Sequence, residues 1–346
     1  MKSPLEDLAY DAASLTYSQE YDMFFLLKTT ATLLLIAVTA AAQAQVPKDY
    51  PNKPIKKVVS FPPGGPTDSS IRMIAEKLGD ILKQSVFVEN KAGAAGNLGA
   101  QFVAGAAPDG YTFLVTSSAY AVNPSLYGAK AGYNPDKDFI PVIVLSTQPN
   151  VISVNEKVPV NSLAELKVYA ANGKASFSTP GSGTTPHLTC ENIFRVLWKS
   201  DIVHVPYKGA GPASLAVVSG ETPVGCTAAF GVYQFSKQGK VKILGISSEK
   251  RLASLPDVPT FAELGYADIN DYTWTTVFAP AGTPPAIVDK MNRAMNQILD
   301  MPEFKVKFDK GGLMTVGGTP AETATYITSE IAHWSKIVKS TGAKAD

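Results

Sequence analysis

Apolar residues follow two alternating patterns along most of the chain. Short apolar runs predict buried strands at residues 58–61, 86–88, 112–116, 142–145, 151–154, 176–178, 202–205, 224–228 and 243–246. Between them, apolar residues at helical spacing predict amphipathic helices. The clearest stripes are Ile71, Ile74, Ala75, Leu78 and Leu82; Cys190, Ile193, Phe194 and Leu197; Ile287, Met291, Met295 and Ile298; and Ile327, Ile331, Trp334 and Val338. This alternation predicts α/β layers with largely parallel sheets.

Three of the predicted helices begin with a Thr-Pro dipeptide, at Thr185, Thr283 and Thr319. Threonine is a good N-cap, and proline suits the first helical position because it lacks the N–H that would have no partner there. Glu322 follows Thr319 at the spacing of a capping box.

Two strand-to-helix junctions are rich in glycine and small hydroxyl residues. They are FPPGGPTD at residues 61–68 and STPGSGTTPH at residues 178–187. Glycine allows a ligand to approach the backbone, and the first helical turn presents unpaired N–H groups at the positive end of the helix dipole. Each junction is therefore either a cradle for an anion, with Asp68 or Thr67 capping the helix behind the first, or simply a tight βα turn.

The N-terminal segment has the layout of an export signal. An apolar stretch after Met23 and Lys28 is followed by small residues ending near Ala44, where we expect cleavage. The stretch is shorter than the roughly 20 residues that a membrane-spanning helix needs. Residues 1–22 are acidic, so we interpret them as an extension upstream of the true start, with 23–44 as the signal peptide and the periplasm as the destination.

Charge and cysteine content narrow the function further. Lys and Arg number 31 against 30 Asp and Glu, which gives no electrostatic reason to expect nucleic acid or an anionic membrane as partner. Export would permit a disulfide between Cys190 and Cys226. Buried free thiols are the favoured interpretation, with the disulfide left open.

Catalysis and metal binding find little support in the sequence. Ser182 and His187 lie close together, but Gly181-Ser182-Gly183 lacks the spacing of a nucleophile elbow. The histidines 187, 204 and 333 are scattered, without the spacing of a zinc site. We expect neither enzyme activity nor a metal or other cofactor, and we regard His204 and His333 as incidental.

Several motifs, in order, resemble those of the solute-binding (Bug) proteins of tripartite tricarboxylate transporters. They are YPNKPI at 50–55, PPGGPTD at 62–68 with Arg72, ENKAGAAGN at 89–97, PDGYT at 108–112, GSGT at 181–184 with His187 and Leu188, VPYKG at 205–209, LPDVPT at 255–260 and APAGTP at 279–284. Together they extend over nearly all of the chain after the signal.

The resemblance implies a type II periplasmic-binding-protein fold, with two α/β lobes and a ligand cleft between them. It places the first domain at residues 46–146 plus 271–346 and the second at 147–270. It also implies a monomer that binds a small organic acid and delivers it to membrane transporter subunits. Family members often have a small residue at position 190, and the strand that holds Cys226 usually ends near an acidic or small residue, so a cysteine that faces the cleft at either position would alter ligand selection.

The same resemblance implies a set of ligand-binding residues. They are Phe61, Pro63, Gly64, Gly65, Thr67, Asp68, Ser117, Ser118, Asn123, Ser178, Gly181, Ser182, Thr184, Thr185, His187, Tyr207, Lys208 and Trp274. Gly64, Gly65 and Thr67 would offer amides to one carboxylate, while Ser182, Thr184 and Thr185 would hold the distal end and Phe61 and Tyr207 would line the sides. For some members a structural role is an alternative: helix capping for Asp68, loop fixing for His187, a solvated charge for Lys208 and packing for Trp274. Arg72 is expected to orient the loop through a salt bridge.

The sequence thus predicts a periplasmic protein that captures a mono- or dicarboxylate, aliphatic or aromatic. A ligand-binding partner of a membrane sensor is the alternative, and an exported Ser/His hydrolase a remote one.

Overall fold

A computed structural model describes residues 49–173 and 175–344. The predicted extension and signal peptide lie outside these residues. The strands are β1 (Ile55–Val59), β2 (Val86–Asn90), β3 (Thr112–Ser117), β4 (Phe139–Asn155), β5 (Ser176–Thr179), β6 (Val203–Pro206), β7 (Val224–Ala228), β8 (Val241–Ile246), β9 (Tyr272–Pro280) and β10 (Met314–Gly317). The α-helices are α1 (Pro66–Leu82), α2 (Asn97–Ala104), α3 (Ala119–Tyr127), α4 (Leu163–Ala171), α5 (Thr185–Glu191), α6 (Ala210–Ser219), α7 (Ala229–Lys237), α8 (Pro285–Leu299), α9 (Pro302–Asp309) and α10 (Pro320–Thr341).

The long strand β4 belongs to two sheets. Its first part pairs with β9 and β10, within the order β2-β1-β3-β9-β4, and its last part pairs with β7 and β8, where β7 leads on to β5 and β6. The change of partner falls between Pro149 and Asn150, and Asp271 precedes β9 beside it. We call the two halves the first lobe (β1–β3, β9, β10) and the second lobe (β5–β8), and the β4–β9 crossing the hinge. The predicted domain boundaries themselves stay a prediction.

The sheets are less parallel than predicted. The outer pairs β1–β2, β1–β3, β5–β6 and β5–β7 are parallel, whereas β4 and β9 run antiparallel to all their neighbours. The two short runs predicted at 142–145 and 151–154 are one strand, because β4 passes from lobe to lobe. Strands β9 and β10 were missed.

The helical stripes mostly form the core, as predicted. Ile71, Ile74, Leu78 and Leu82 are buried on α1, and the stripe on α8 is buried as well. Leu197 is the exception, since it is 47% exposed. Residues Asn192–Leu197 form a π-helical turn, which rotates Leu197 off the buried face.

Of the three helix starts predicted at Thr-Pro dipeptides, only the one at Thr319 has both the predicted N-cap and the predicted first helical residue. Thr319 caps α10 in a capping box with Glu322, whose backbone N–H donates to the Thr319 hydroxyl at 3.2 Å. α5 begins at Thr185 itself, with Thr184 before it, and α8 begins one residue late, at Pro285.

Cys190 and Cys226 form a disulfide, so the favoured interpretation as free thiols was wrong. The bond joins α5 to β7 across a Cα–Cα distance of 6.3 Å, inside the apolar core of the second lobe with Phe177 and Phe194. Both cysteines are buried, at 1% and 0% exposed, so the expected influence of a cleft-facing cysteine does not arise.

The first lobe buries a lysine. Lys57 on β1 is fully buried, its Nζ donates to the Met291 sulfur at 3.2 Å, and Nζ lies 3.7 Å from the centroid of the Phe113 ring. Burial lowers the pKa of Lys57 well below its usual range. Among the described residues, no helix is long and apolar enough to span a membrane.

Candidate functional site

The first junction ends β1 and begins α1. Gly65 is the residue before the helix, Pro66 is the first helical residue, and the first backbone bond runs from Ser69 N to Gly65 O at 2.8 Å. The Thr67 amide precedes that bond and lies at the positive end of α1. Asp68 and Thr67 therefore lie inside the first turn instead of capping it from outside.

Asp68 holds this junction from behind. Its buried carboxylate accepts from Gly64 N at 2.9 Å, from Arg72 Nε at 2.9 Å and from Asn90 Nδ2 at 2.8 Å, and Asn90 Nδ2 also donates to Phe61 O. The predicted loop-orienting salt bridge of Arg72 is confirmed. The Gly64 amide, predicted to bind the ligand, is instead bonded to Asp68.

The second junction, between β5 and α5, is held by the Thr184 hydroxyl and the His187 ring. Thr184 Oγ1 donates to Gly181 O at 2.8 Å, and Gly183 N donates to His187 Nδ1 at 3.2 Å. Gly181 and Gly183 have φ values of 136° and 83°, which favour glycine. Ser178 is buried and donates to Ala213 O at 2.9 Å. His187 thus fixes the loop, and Ser178 supports α6.

His204 is not incidental, because it backs this second junction. Its ring stacks on His187 with centroids 4.0 Å apart, and its Nε2 lies 2.7 Å from Thr179 Oγ1. Burial, followed by the nearby His187, lowers the pKa of His204 to about 3. The ring is therefore neutral at physiological pH.

Both junctions line one cavity between the lobes, which we call the inner chamber. Its volume is about 50 Å³. The predicted residues that line it are Phe61, Pro63, Gly65, Thr67, Ser117, Ser118, Thr184 and Thr185. Every other lining residue that the structure gives is also uncharged: Pro62, Pro66, Pro180, Pro186, Gly209, Ala210, Gly211, Pro212, Ala228 and Thr273. A group bound there would meet backbone dipoles and hydroxyls without a full charge.

A third junction was missed by the sequence reasoning. Residues 209–212, the N-cap and first turn of α6, read Gly-Ala-Gly-Pro and line the inner chamber. The first bond of α6 runs from Ala213 N to Gly209 O at 3.4 Å, so the Gly211 amide precedes it. The signal was present in the sequence, since this is again a glycine- and proline-rich segment at a strand-to-helix junction. Thr67 and Gly211 thus bring first-turn amides from opposite lobes.

A wider cavity, the outer chamber, adjoins the inner one and has a volume of about 510 Å³. The two share Phe61, Pro62, Pro180 and Gly209. Gly181, Ser182, Tyr207 and Lys208 from the predicted set line the outer chamber, and Lys208 is the one charged residue among its described lining. This pair of chambers therefore offers two places for a carboxylate, one in the uncharged inner chamber and one beside Lys208 in the outer chamber.

The lobes touch across the inner chamber. The hydroxyls of Ser118 in the first lobe and Thr185 in the second are 2.8 Å apart. A Cβ on Gly209 would lie 3.2 Å from Pro62 Cγ, so glycine allows the two loops to meet. The structure therefore represents a closed arrangement.

Trp274 and Asn123, like Gly64, Asp68, Ser178 and His187, line neither chamber. Trp274 is fully buried in the first-lobe core and donates from Nε1 to Glu330 at 2.8 Å. Asn123 is buried and donates to Asn97 Oδ1 at 2.6 Å and to Ala95 O at 3.0 Å. Both support the architecture instead of lining the cleft. Among the described residues, no cluster of His, Cys, Asp or Glu is suited to a metal.

Comparison with known proteins identifies the family. The profile described as "Tripartite tricarboxylate transporter family receptor" matches residues 70–343. The chain belongs to this family. BugT of Bordetella pertussis is 36% identical over 319 residues, which cover 91% of this chain and 97% of BugT. A UPF0065 protein of Cupriavidus necator, from the gbd 5' region, is 38% identical over 286 residues, which cover 81% of this chain and 85% of that relative.

Solved structures of receptors confirm the two-lobe fold. An R. palustris protein solved with adipate has a TM-score of 0.81 at 32% identity, over 86% of this chain and 99% of its own. MatC from Rhodopseudomonas palustris, solved with bound malate, has a TM-score of 0.79 at 32% identity, over 84% and 100%. The periplasmic binding protein BugD has a TM-score of 0.80 at 30% identity, over 85% and 99%. These neighbours are solute-binding proteins and not enzymes. This chain, a tripartite tricarboxylate-type receptor, is likewise a solute-binding protein and not an enzyme.

Proposed function

We propose that this receptor works in the periplasm, where it captures a small organic carboxylate between its lobes and delivers it to the membrane subunits of a tripartite tricarboxylate transporter. The observation that carries the proposal is the inner chamber, whose described lining is uncharged and includes the starts of helices from both lobes. Family membership supports the transporter as partner. The predicted export signal supports the compartment.

The physical basis is anion binding by backbone dipoles. The Thr67 and Gly211 amides lie in the first turns of α1 and α6, where the helix dipole favours negative charge. A carboxylate that accepts hydrogen bonds from both lobes would bind the closed arrangement better than an open one. A ligand shifts a conformational equilibrium only by such a difference in affinity, so bridging the lobes would drive closure.

The chambers favour an elongated ligand. The inner chamber is small, so it suits one carboxylate, while the outer chamber has room for the remaining chain. Lys208 in the outer chamber would attract a second acidic group. Adipate and malate, present in two structural neighbours, each carry two carboxylates. We therefore favour a dicarboxylate.

The test is calorimetric titration of adipate and of hexanoate, which has the same chain length but one carboxylate. We expect adipate to bind and to be preferred, and Lys208→Met to weaken adipate by about fivefold while leaving hexanoate unchanged. Lys237→Met, which removes an equal charge from an exposed site on α7, is the matched control. A thermal-shift screen of aliphatic and aromatic acids extends the search, because a binder raises apparent stability.

Failure of all the acids to bind would contradict the proposed function. Equal binding of adipate and hexanoate, unaffected by Lys208→Met, would instead contradict only the dicarboxylate preference.

A further inference from the structure

The hinge contains a buried carboxylate that contacts both lobes. Asp271, which is 2% exposed, accepts from His333 Nε2 at 3.1 Å through Oδ1 and from Thr189 Oγ1 at 2.7 Å through Oδ2. His333 lies on α10 beside the first-lobe core, and Thr189 lies on α5 of the second lobe. One side chain at the hinge thus connects a helix of each lobe.

Thr189 continues this contact into a chain of hydrogen bonds. Its hydroxyl accepts from Asn150 Nδ2 at 2.9 Å, and Asn150 Oδ1 accepts from Thr273 Oγ1 at 2.8 Å. The Thr273 hydroxyl lies 2.8 Å from that of Thr185, which in turn lies 2.8 Å from that of Ser118. Thr185 and Thr189 are one turn apart, so they lie on the same face of α5. All five residues are buried.

The chain of hydrogen bonds reaches the ligand cleft. Ser118, Thr185 and Thr273 all line the inner chamber, while Asn150 and Thr189 lie behind it at the hinge. A buried polar network in which the groups are paired is rigid, and losing one partner is costly. The orientation of α5 toward the chamber therefore depends on the groups that hold Thr189.

We propose that Asp271 and His333 are positioning residues for ligand capture: the Asp271 carboxylate fixes α5 at the hinge through Thr189, and the positive charge of a protonated His333 strengthens this hold. The inference rests on the proposed function, because it concerns closure over the same chamber. Neither residue touches the chamber, and both act through Thr189 and Thr185.

Several charged groups surround His333. Asp271 faces it from the hinge, and Glu330 and Lys336 lie on its own helix. From the second lobe, the helical segment that packs on α10 carries Glu191 and Arg195, which pair with each other at 2.6 Å. The hydrogen bond to Asp271 raises the pKa of His333 above 6.5, and partial burial opposes this.

The pH dependence follows from the raised pKa of His333. The folded protein holds the His333 proton more tightly than the unfolded chain does. The contribution of the pair is therefore fully present below pH 6.5 and is lost as pH rises through the raised pKa of His333. We expect α5 to be held firmly at mildly acid pH and more loosely at alkaline pH.

The first experiment needs no ligand. Amide hydrogen exchange of α5 is compared in the parent, His333→Gln, which is neutral at all pH, and His333→Arg, which is always charged. At about pH 6 the parent should match His333→Arg, and at about pH 9 it should match His333→Gln, with α5 exchanging about tenfold faster. Lys339→Gln, which removes one charge from an exposed site on α10, should follow the parent at both values. Equal exchange in His333→Gln and His333→Arg would overturn the proposal.

The second experiment links the hinge to capture. Adipate affinity should fall several-fold between the same pH values in the parent and in Lys339→Gln, and should be constant in His333→Gln (weak) and His333→Arg (tight). Thr189→Val should weaken adipate about tenfold at both pH values, and Thr189→Ser, which keeps the hydroxyl, should restore it. If the adipate affinity of His333→Gln changes with pH as the parent's does, the coupling between His333 and ligand capture is refuted. If adipate fails to bind at any pH, that result counts against the dicarboxylate proposal, and the exchange experiment still decides the role of His333.

Discussion

The two glycine-rich junctions that meet at the inner chamber are held in different ways. The first is held by charges placed behind the loop, where the Asp68 carboxylate pairs with Arg72 and accepts from Gly64 N. In the second, His187 accepts from Gly183 N and Thr184 donates to Gly181 O, and the Glu191 carboxylate lies 3.7 Å from the other ring nitrogen of His187. The disulfide then fixes the helix of the second junction to β7.

The comparison shows two solutions to one electrostatic problem. A chamber that binds an anion through backbone dipoles must keep carboxylates out of reach, because a nearby negative charge would repel the ligand. In the first junction the carboxylate is buried beneath the loop and compensated by Arg72. In the second, the Glu191 carboxylate is buried behind His187 and pairs with Arg195 at 2.6 Å. The result in both cases is a rigid loop with an uncharged inner surface.

The largest effect should come from filling the chamber at the first junction. Gly65 has φ of −78°, and a Cβ there would meet only Pro62 O, at 3.8 Å, so alanine fits. Gly65→Trp should place its ring in the chamber and reduce carboxylate binding by at least about a thousandfold. Gly65→Ala is the matched control and should keep affinity within about threefold.

Titration calorimetry, with the thermal unfolding midpoint as a check of folding, measures both variants. Undiminished binding by Gly65→Trp would mean that the first junction does not face the ligand.

Removing the disulfide should give the next largest effect, a loss of stability that arises in the second lobe. Removing it by Cys190→Ala with Cys226→Ala should lower the free energy of unfolding by about 3–4 kcal/mol, from the chain entropy of a loop of 36 residues. Denaturant unfolding measures the change. Reducing agent should destabilise the parent similarly and leave the double variant unaffected, and an insensitive parent would argue against the bond.

Local periodicity made much of the fold predictable. The stripes on α1 and α8, the capping box at Thr319 and the two junctions are each encoded by neighbouring residues, so the sequence pattern is enough. Strand β9 was missed because its threonines, including Thr275 and Thr276, are buried along with its apolar residues. Buried polar groups at a hinge remove the apolar signal on which strand prediction depends.

The site was predictable only to the level of the loops. Gly65 and Thr67 line the chamber, whereas their neighbours Gly64 and Asp68 bond to each other behind it, and spacing cannot distinguish these directions. The disulfide was unpredictable for a related reason, since pairing requires two cysteines from α5 and β7 to come within about 7 Å of each other, which only the folded backbone decides. Residues 209–212 are different, because their pattern was visible and was overlooked.

The smallest effect should be a pH dependence of the free energy of unfolding that comes from the second junction and not from the first. The pKa of His204 falls from 6.5 to about 3 on folding, so the unfolded chain binds more protons below pH 6.5. The contribution of His204 is therefore present above pH 6.5 and is lost as pH falls, by about 2 kcal/mol near pH 5. His204→Phe, which keeps a ring against His187 but cannot titrate, should remove this acid-dependent loss, as measured by denaturant unfolding across pH. The disulfide is unaffected by pH, and the Asp68–Arg72 pair lies in the other lobe. An identical acid profile in the variant and the parent would mean that the second junction does not depend on a neutral His204.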